Sequence, residues 1–298
     1  MTTVALSTGS LHCYGLARVF ELAAATGFDA VEIMVDGQWD TRHPAYLRRL
    51  SRESGLPIVA VHNPFLPYIP GWPTDPVDRL RLSAALAREV GAPLVVAHLP
   101  LRVRGAWVEP IGFKASHLLL LIPLPGQSSY RRFLLNGLAC FEAEEGIVVA
   151  VENMPIRRLL GLNLDIHALN RIEFLATLPH VTLDTTHLGT RGLDPLAVYE
   201  QLKDRVVHIH LSDFKKQEHL LPGEGHLPLG QLLERLAHDG YNGAVTVELG
   251  PEALQAEDED RVRERLGQAL AFCREHNGTS IAPVGAHRSV ARPRGYQR

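Results

Sequence analysis

The chain alternates short apolar runs, rich in β-branched residues, with longer segments whose apolar residues recur at helical spacing. Eight runs are candidate strands, and they cover residues 4–7, 30–34, 58–62, 94–98, 147–152, 181–184, 206–210 and 244–248. Alternation of strand and helix favours a parallel sheet with crossover helices, and eight repeats favour closure into a barrel. We therefore predict an α/β fold, a (β/α)8 barrel. A doubly wound open sheet is the alternative, but no Gly-x-Gly-x-x-Gly motif follows the first strand.

The segments between the candidate strands carry signals for the start and the end of helices. Asp75 and Asp194 each precede a proline, the pattern of an N-cap followed by proline in the first turn. Gly27 and Gly55 stand where the first two helices should end. The same periodicity predicts later helices over residues 129–145, 165–178, 229–239 and 257–276. Each candidate strand is therefore followed by a predicted helix before the next strand or the end of the barrel.

Two segments depart from this alternation. Residues 101–128 form an unusually long connection after the fourth strand, and such loops are often functional. We expect this insertion to be a lid over the site, an extra helix, or a contact that makes the protein a homodimer. The segment 277–298 is basic and contains glycine and proline, so we expect a disordered tail. The 298 residues are thus predicted to hold a single barrel over residues 1–276.

The composition limits the partners and the compartment. The formal net charge is −3, which does not favour binding to nucleic acid or to an anionic membrane. The three cysteines show neither metal-type nor disulfide-type spacing, so a reducing, cytoplasmic location is expected. The N-terminus lacks the basic region of a signal peptide, and the longest apolar run, residues 118–124, is too short to span a bilayer. We expect a soluble protein.

Polar side chains end the last four candidate strands, at positions that face the reaction centre in barrels of this kind. They are Glu152, Asp184, His210 and Glu248. Buried carboxylates are costly unless they are paired or bound to a metal, so structural roles for all four would be hard to explain. Three oxygen ligands and one nitrogen ligand suit one divalent ion, Mn²⁺, Mg²⁺ or Co²⁺, with Zn²⁺ as an alternative.

Further polar residues lie at or near the ends of the candidate strands, namely Glu32, His62, His98 and His187. The last of these follows Asp184 by three residues, where it could contact the substrate, support the site or bind a metal. His208 and His210 share one face of their strand, and only the later one is expected to reach the mouth of the barrel. We therefore expect His208 to pack and to form hydrogen bonds deeper in the barrel.

Seven short motifs carry a resemblance that spans nearly the whole chain in order. They lie at residues 27–33 (GFDAVEI), 61–65 (VHNPF), 152–154 (ENM), 183–187 (LDTTH), 208–213 (HIHLSD), 222–225 (PGEG) and 247–249 (VEL). On these motifs the chain resembles the xylose-isomerase-like TIM barrel superfamily, specifically its sugar phosphate isomerase and epimerase branch. The resemblance implies a metal-dependent isomerase or epimerase that acts on a sugar or a sugar phosphate.

In the ketose 3-epimerases of this superfamily, the metal ligands match Glu152, Asp184, His210 and Glu248. The resemblance implies that the metal holds two adjacent substrate oxygens and polarises the carbonyl. The residues that match Glu152 and Glu248 would exchange a proton on opposite faces of the neighbouring carbon, through an enediolate. Substrate contacts are expected from His62, His98, His187 and Glu32. Lys215 or Lys216 could meet a substrate phosphate, or both could be solvated surface residues.

The same superfamily contains apurinic-site endonucleases that use three zinc ions and whose ligands match seven residues of this chain. These are His62, His98, Glu152, Asp184, His187, His210 and Glu248. The endonucleases carry an Asp-x-His pair before residues 222–225, whereas this chain has Gln217, Glu218 and His219 there. A zinc-dependent phosphodiesterase is therefore the second hypothesis. A barrel that only binds sugar or metal is the third, and the presence of both candidate catalytic carboxylates argues against it.

Overall fold

The computed structural model describes residues 2–65, 68–108, 118–123, 128–159 and 162–277, and the predicted tail lies outside them apart from Asn277. Within these ranges the chain forms twelve strands: β1 Thr3–Ser7, β2 Ala30–Met34, β3 Ile58–His62, β4 Leu94–Ala97, β5 Val103–Val108, β6 Leu118–Pro123, β7 Val148–Glu152, β8 Arg157–Leu159, β9 Leu162–Leu164, β10 Val181–Asp184, β11 Val206–Leu211 and β12 Ala244–Val247. Eight of them close into a barrel in the order β1-β2-β3-β4-β7-β10-β11-β12, and every neighbouring pair is parallel. The predicted barrel and the positions of its strands are confirmed.

The described residues also form eleven α-helices: α1 Leu16–Thr26, α2 Pro44–Ser54, α3 Pro76–Val90, α4 Ser128–Asn136, α5 Leu138–Glu145, α6 Ile172–Leu175, α7 Thr185–Thr190, α8 Pro195–Leu202, α9 Leu229–His238, α10 Pro251–Leu254 and α11 Glu259–His276. The side chains of Asp75 and Asp194 accept backbone N–H groups in the first turns of α3 and α8, as their N-cap patterns predict. Gly27 and Gly55 end α1 and α2 in the left-handed conformation that glycine adopts without strain.

The predicted helix over residues 165–178 is wrong for most of its length, because only the four-residue helix α6 forms there. Tertiary hydrogen bonds hold the residues before it. The Asn170 side chain donates to the carbonyl of Met154 at 2.9 Å and accepts from the N–H of Met154 at 3.1 Å. The backbone of His167 forms an isolated antiparallel bridge with Leu101. An irregular loop is favoured over a helix, because these residues form hydrogen bonds with distant parts of the chain that a helix would not allow.

The structure also subdivides two other predicted segments. The helix expected over residues 129–145 is two helices, α4 and α5, that are separated by Gly137. In the connection 101–128, β5 and β6 form an antiparallel pair, which excludes the extra helix for these two stretches. Residues 109–117 and 124–127 lie outside the described residues. The lid and dimer hypotheses therefore stay predictions.

Two apolar layers support the barrel. A large core packs between the outer faces of the strands and the helices, and it includes fully buried side chains such as Phe20. Each such side chain stabilises the fold by about 1.5–3 kcal/mol relative to its exposed state. A smaller cluster lies inside the barrel and consists of Ala60, Leu94, Val96 and Ala150. Since Ala150 sits two residues before Glu152 on the same face of β7, this cluster forms an apolar floor beneath the polar residues of the mouth.

No helix among the described residues combines the length and the apolar character that crossing a bilayer requires. All three cysteines are free thiols, with Cys13 and Cys140 exposed and Cys273 buried. Burial raises the pKa of the Cys273 thiol to about 12, which keeps this thiol protonated. The cytoplasmic location stays a prediction.

The loop between β11 and α9 is organised around the buried carboxylate of Asp213. This carboxylate accepts hydrogen bonds of 2.8–3.0 Å from the backbone N–H groups of Phe214, Gly223, Gly225 and Leu227. A Cβ added at Gly225 would come within 2.2 Å of Asp213 Oδ1. Gly225, the second glycine of the PGEG motif, is therefore needed, because a side chain at this position would occupy the space of the Asp213 carboxylate.

Gly225→Ala is expected to destabilise the protein by about 1–3 kcal/mol, the usual cost of overpacking. Its Cβ must displace the Asp213 carboxylate from its backbone donors. Gly267→Ala is the matched control, since no described atom lies within 4 Å of its added Cβ and alanine is the better helix former in α11. Urea unfolding followed by circular dichroism gives both free energies of unfolding. Equal stability of Gly225→Ala and wild type would show that Asp213 does not constrain this loop.

Candidate metal centre at the barrel mouth

Four strand ends bring the candidate ligands together at one mouth of the barrel. Glu152 ends β7, Asp184 ends β10, His210 lies near the end of β11, and Glu248 directly follows β12. Because the strands are parallel, their carboxyl ends meet on the same side. One ligand atom from each of the four residues lies within 4.8 Å of the other three. All four side chains are buried, and Glu248 is the most exposed at 9%.

His210 stands at the centre of this cluster. Its Nδ1 lies 2.8 Å from Glu152 Oε1, 2.9 Å from Glu248 Oε2 and 3.8 Å from Asp184 Oδ2. Its other ring nitrogen, Nε2, lies 3.1 Å from Glu32 Oε1. The imidazole therefore separates two groups of carboxylates, with three at the mouth and one in the barrel interior.

The buried carboxylates repel one another. Burial raises the pKa of Asp184 well above its ordinary value, and the charges of Glu152 and Glu248 raise it further. Burial acts in the same direction on Glu152 and Glu248, but His210 outweighs it, holding the pKa of Glu152 well below its usual range and that of Glu248 at about 2. Burial lowers the pKa of His210, yet the surrounding carboxylates, Glu32 first, raise it well above its ordinary value. The site thus holds more negative charge than one imidazolium can neutralise.

Two carboxylate oxygens of the cluster have no hydrogen-bond donor among the described residues: Asp184 Oδ2 and Glu248 Oε2. His210 Nδ1 lies 2.8 Å from Glu152 Oε1, and Glu248 Oε2 lies 2.9 Å from the same nitrogen without forming a hydrogen bond. Buried oxygens without a donor are costly, and a divalent cation would satisfy both. Three carboxylates and one imidazole form a donor set that suits Mn²⁺, Mg²⁺, Co²⁺ or Zn²⁺. The residues therefore fit a divalent metal ion.

Three further histidines surround Glu152. His62 Nε2 and His98 Nε2 lie 3.8 and 3.6 Å from Glu152 Oε2. Burial lowers the pKa of His98 to about 3 and that of His187 to about 4, so both rings are neutral near pH 7. His62 and His187 each place Nδ1 near a backbone carbonyl, at 3.1 and 2.9 Å. A carbonyl only accepts, so in the neutral rings Nδ1 carries the proton and Nε2 keeps the lone pair.

A cavity of about 420 Å³ opens above the cluster, within the range of sites that bind small molecules. Its wall includes five predicted site residues, His62, His98, Glu152, His187 and Glu248. Sequence reasoning missed other polar residues of this wall, including Tyr130, Arg157, His167, Glu218 and His219. None of these missed residues ends a barrel strand, which is the signal that identified the others.

Glu32 does not reach the described wall of the cavity. It is completely buried in the barrel interior, where Oε2 lies 2.6 Å from His208 Nε2. This position does not support the substrate contact expected for Glu32. His208 is 1% exposed and lies deeper than His210 along the strand, in agreement with the sequence interpretation. Lys215 and Lys216 are exposed and also lie outside the described wall, so their positions do not support a phosphate contact.

The comparison with known sequences identifies the family. Residues 20–276 match the family described as xylose isomerase-like TIM barrel, and the chain belongs to that family. An uncharacterized protein of Mycobacterium tuberculosis is 29% identical over 296 residues, which cover 92% of this chain and 97% of that protein. The fructoselysine 3-epimerase of Escherichia coli O157:H7 is 38% identical over 56 residues, or 18% of this chain and 20% of that enzyme.

Solved structures share the fold. D-psicose 3-epimerase, determined in the presence of D-fructose, has a TM-score of 0.64 and 17% identity, covering 93% of this chain and 100% of that one. An AP endonuclease, family 2, from Brucella melitensis has a TM-score of 0.62 and 19% identity, covering 91% of this chain and 98% of that one. At these identities the structural similarity establishes the fold alone. The two solved structures represent both enzyme classes suggested by the sequence, an epimerase and an AP endonuclease.

Asp184→Asn is expected to stabilise the metal-free protein by about 1–2 kcal/mol at pH 8, because it removes one of three crowded, buried carboxylates. The pKa of Asp184 is raised, so its ionised form destabilises the fold. This penalty grows as the pH rises above about 4, the ordinary pKa of aspartate. The gain in stability should therefore be larger at pH 8 than at pH 5.

Thermal unfolding in EDTA at both pH values measures this effect. Asp194→Asn is the control, because Asp194 caps α8 and an asparagine there is an equally good N-cap. Its stability should match that of the wild type at either pH. An Asp184→Asn variant that is less stable than the wild type at pH 8 would show that carboxylate repulsion does not dominate the site.

Proposed function

We propose that the chain is a divalent-metal-dependent isomerase or epimerase of a small sugar or sugar phosphate, which moves a proton next to the carbonyl through an enediolate. The observation that carries the proposal is that Glu152 and Glu248 reach one cavity wall, beside a cluster that fits a metal ion. Their strands are separated in the barrel by β10 and β11, so the two carboxylates approach the cavity from different sides. The similarity to fructoselysine 3-epimerase and the fold shared with D-psicose 3-epimerase support this class.

Glu152, Asp184, His210 and Glu248 would hold the metal ion. When bound, the ion supplies Lewis-acid stabilisation of the negative charge that develops on the substrate oxygens. The side chains of Glu152 and Glu248 are almost completely buried, so they act where bulk water is largely excluded. Electrostatic interactions are stronger in such an environment than in water.

Glu152 and Glu248 are the proposed carriers of the proton. One carboxylate, in its ionised form, removes a proton from the carbon next to the carbonyl, and the other, after taking up a proton from solvent, delivers it to the opposite face of that carbon. The stereocentre is inverted, the first carboxylate ends protonated and the second ends ionised. Exchange of one proton with solvent restores the starting state. In an isomerisation, the proton would return to the former carbonyl carbon instead.

His62, His98 and His187 are proposed to position the substrate. All three line the cavity around Glu152. Nδ1 of His62 and of His187 faces a backbone carbonyl, so Nε2 of each ring is the nitrogen available to form a hydrogen bond with a sugar hydroxyl. A polyhydroxy substrate offers several such donors, so a wall lined by histidines suits it better than it suits an apolar ligand.

A zinc-dependent phosphodiesterase is the second candidate function. Besides the four-ligand cluster and an interior group of Glu32, His62 and His210, two sets of cavity-lining residues each place ligand atoms within 4.8 Å of one another: His62, His98 and Glu152, and His187, Glu218 and His219. The second set was not expected from the sequence, since the Asp-x-His spacing is missing. Two observations weigh against this candidate: Glu218 forms an ion pair with Arg157 at 2.9 Å, and the chain has a net charge of −3.

Glu152→Gln and Glu248→Gln are each expected to slow solvent proton exchange at the carbon next to the carbonyl by about 10²–10⁴-fold, the usual contribution of a general acid or base. The measurement is deuterium incorporation into ketohexoses and their phosphates in D₂O with added divalent metal, followed by NMR. Glu53→Gln, which changes an exposed glutamate of α2, is the control and should exchange at the wild-type rate.

Both glutamates also belong to the metal cluster, so the metal content of each variant is measured in parallel. Loss of exchange with metal retained identifies a defect in proton transfer. Full exchange in either variant would exclude the two-carboxylate mechanism. Nicking of a duplex with an abasic site by the zinc-loaded wild type, without exchange into any sugar, would favour the phosphodiesterase.

A further inference from the structure

Glu32 links the barrel interior to the candidate metal centre. It lies on β2, and its side chain is completely buried. Since β1 and β12 separate β2 from β11 in the barrel, this side chain reaches across the interior to two histidines of β11. Its Oε2 lies 2.6 Å from His208 Nε2 and 3.2 Å from His210 Nε2. Its Oε1 lies 3.1 Å from His210 Nε2 but has no hydrogen-bond partner among the described residues.

These contacts determine which nitrogen of His210 carries a proton. An ionised carboxylate only accepts hydrogen bonds, so His210 donates from Nε2 to Glu32. In the neutral imidazole, the proton is then on Nε2 and the lone pair is on Nδ1. Nδ1 is the nitrogen that faces the three carboxylates of the cluster. Glu32 therefore selects the tautomer of His210 that can bind a metal there.

A carboxylate at this depth is not required for packing. Burying an ion costs several kcal/mol even when it is paired. Small apolar residues occupy neighbouring interior positions, including Ala60, which pairs with Glu32 in the β2–β3 register. A carboxylate that is retained in such surroundings and contacts two histidines points to a functional role.

We propose that Glu32 is a positioning residue of the metal centre, which fixes the orientation and the tautomer of His210 and strengthens Nδ1 as a ligand for a transition metal ion. His208 binds the same carboxylate and thereby orients it. In this role Glu32 acts through His210 and is not itself one of the four ligands of the cluster. The inference rests on the proposed function, because it takes the cluster of Glu152, Asp184, His210 and Glu248 as the metal site.

Glu32→Gln is expected to raise the dissociation constants for Co²⁺ and Zn²⁺ about 10–100-fold, the usual effect of losing such a supporting group. Glutamine is neutral, and it can present its NH₂ group to Nε2 as readily as its oxygen. Calorimetric titration of the metal-stripped full chain with each metal chloride measures the affinities. An affinity equal to that of the wild type would overturn the proposal.

Glu142→Gln is the matched control. Glu142 also pairs with a histidine, His180, at 2.7 Å, but it contacts Val149 near the start of β7, far from the mouth. Its substitution should leave both dissociation constants unchanged. A loss of affinity as large as that of Glu32→Gln would show that removal of any buried carboxylate–histidine pair weakens metal binding, and would overturn a specific role for Glu32.

A second measurement needs no variant and remains decisive if Glu32→Gln does not fold. In the zinc-loaded wild type labelled with ¹⁵N at histidine, NMR is expected to show His210 protonated at Nε2 and metal-bound at Nδ1. A proton on Nδ1 would overturn the inference. A wild type that binds no metal would overturn the proposed function together with it, whereas tight binding by both proteins would overturn the positioning role alone.

Discussion

The crowding of three buried carboxylates around His210 is the interaction on which the proposed chemistry of this barrel depends. The parallel strands bring Glu152, Asp184 and Glu248 to one mouth, and the apolar floor beneath them contributes no donors. Repulsion in such surroundings is costly, and a cation is the partner that removes it most directly. The feature that destabilises the metal-free site is thus the feature that favours metal binding. Strain of this kind concentrates at functional sites.

The four candidate ligands do not have equivalent positions. Glu152 and Glu248 line the cavity, whereas Asp184 and His210 are completely buried and lie behind its described wall. Two residues can therefore contact both a metal and a substrate, while the other two can only hold the metal in place. This division matches a reaction in which two carboxylates exchange protons with the substrate. Because His210 lies behind the cavity wall, the carboxylate that orients its ring, Glu32, lies in the barrel interior and not in the cavity.

The barrel could be predicted because its signals are local: β-branched runs mark the strands, and a polar residue marks the end of several of them. The contact of Glu32 with His210 could not be predicted, because it joins residues 178 positions apart across the barrel interior. The prediction of a helix over residues 165–178 was wrong for a related reason. Hydrogen bonds between Asn170 and Met154 tie that backbone to a distant loop, and helical periodicity does not reveal them. Sequence alone likewise did not indicate that His219 would face His187.

Elemental analysis of the purified chain tests the central claim most directly. The protein is equilibrated with equal concentrations of Mn²⁺, Co²⁺ and Zn²⁺, excess metal is removed by gel filtration, and the bound metal is measured. About one divalent ion per chain is expected, held by the cluster that, among the residues the structure describes, combines three carboxylates with an imidazole. About three zinc ions per chain would instead indicate the multinuclear site of a phosphodiesterase, and a chain without bound metal would contradict the account altogether.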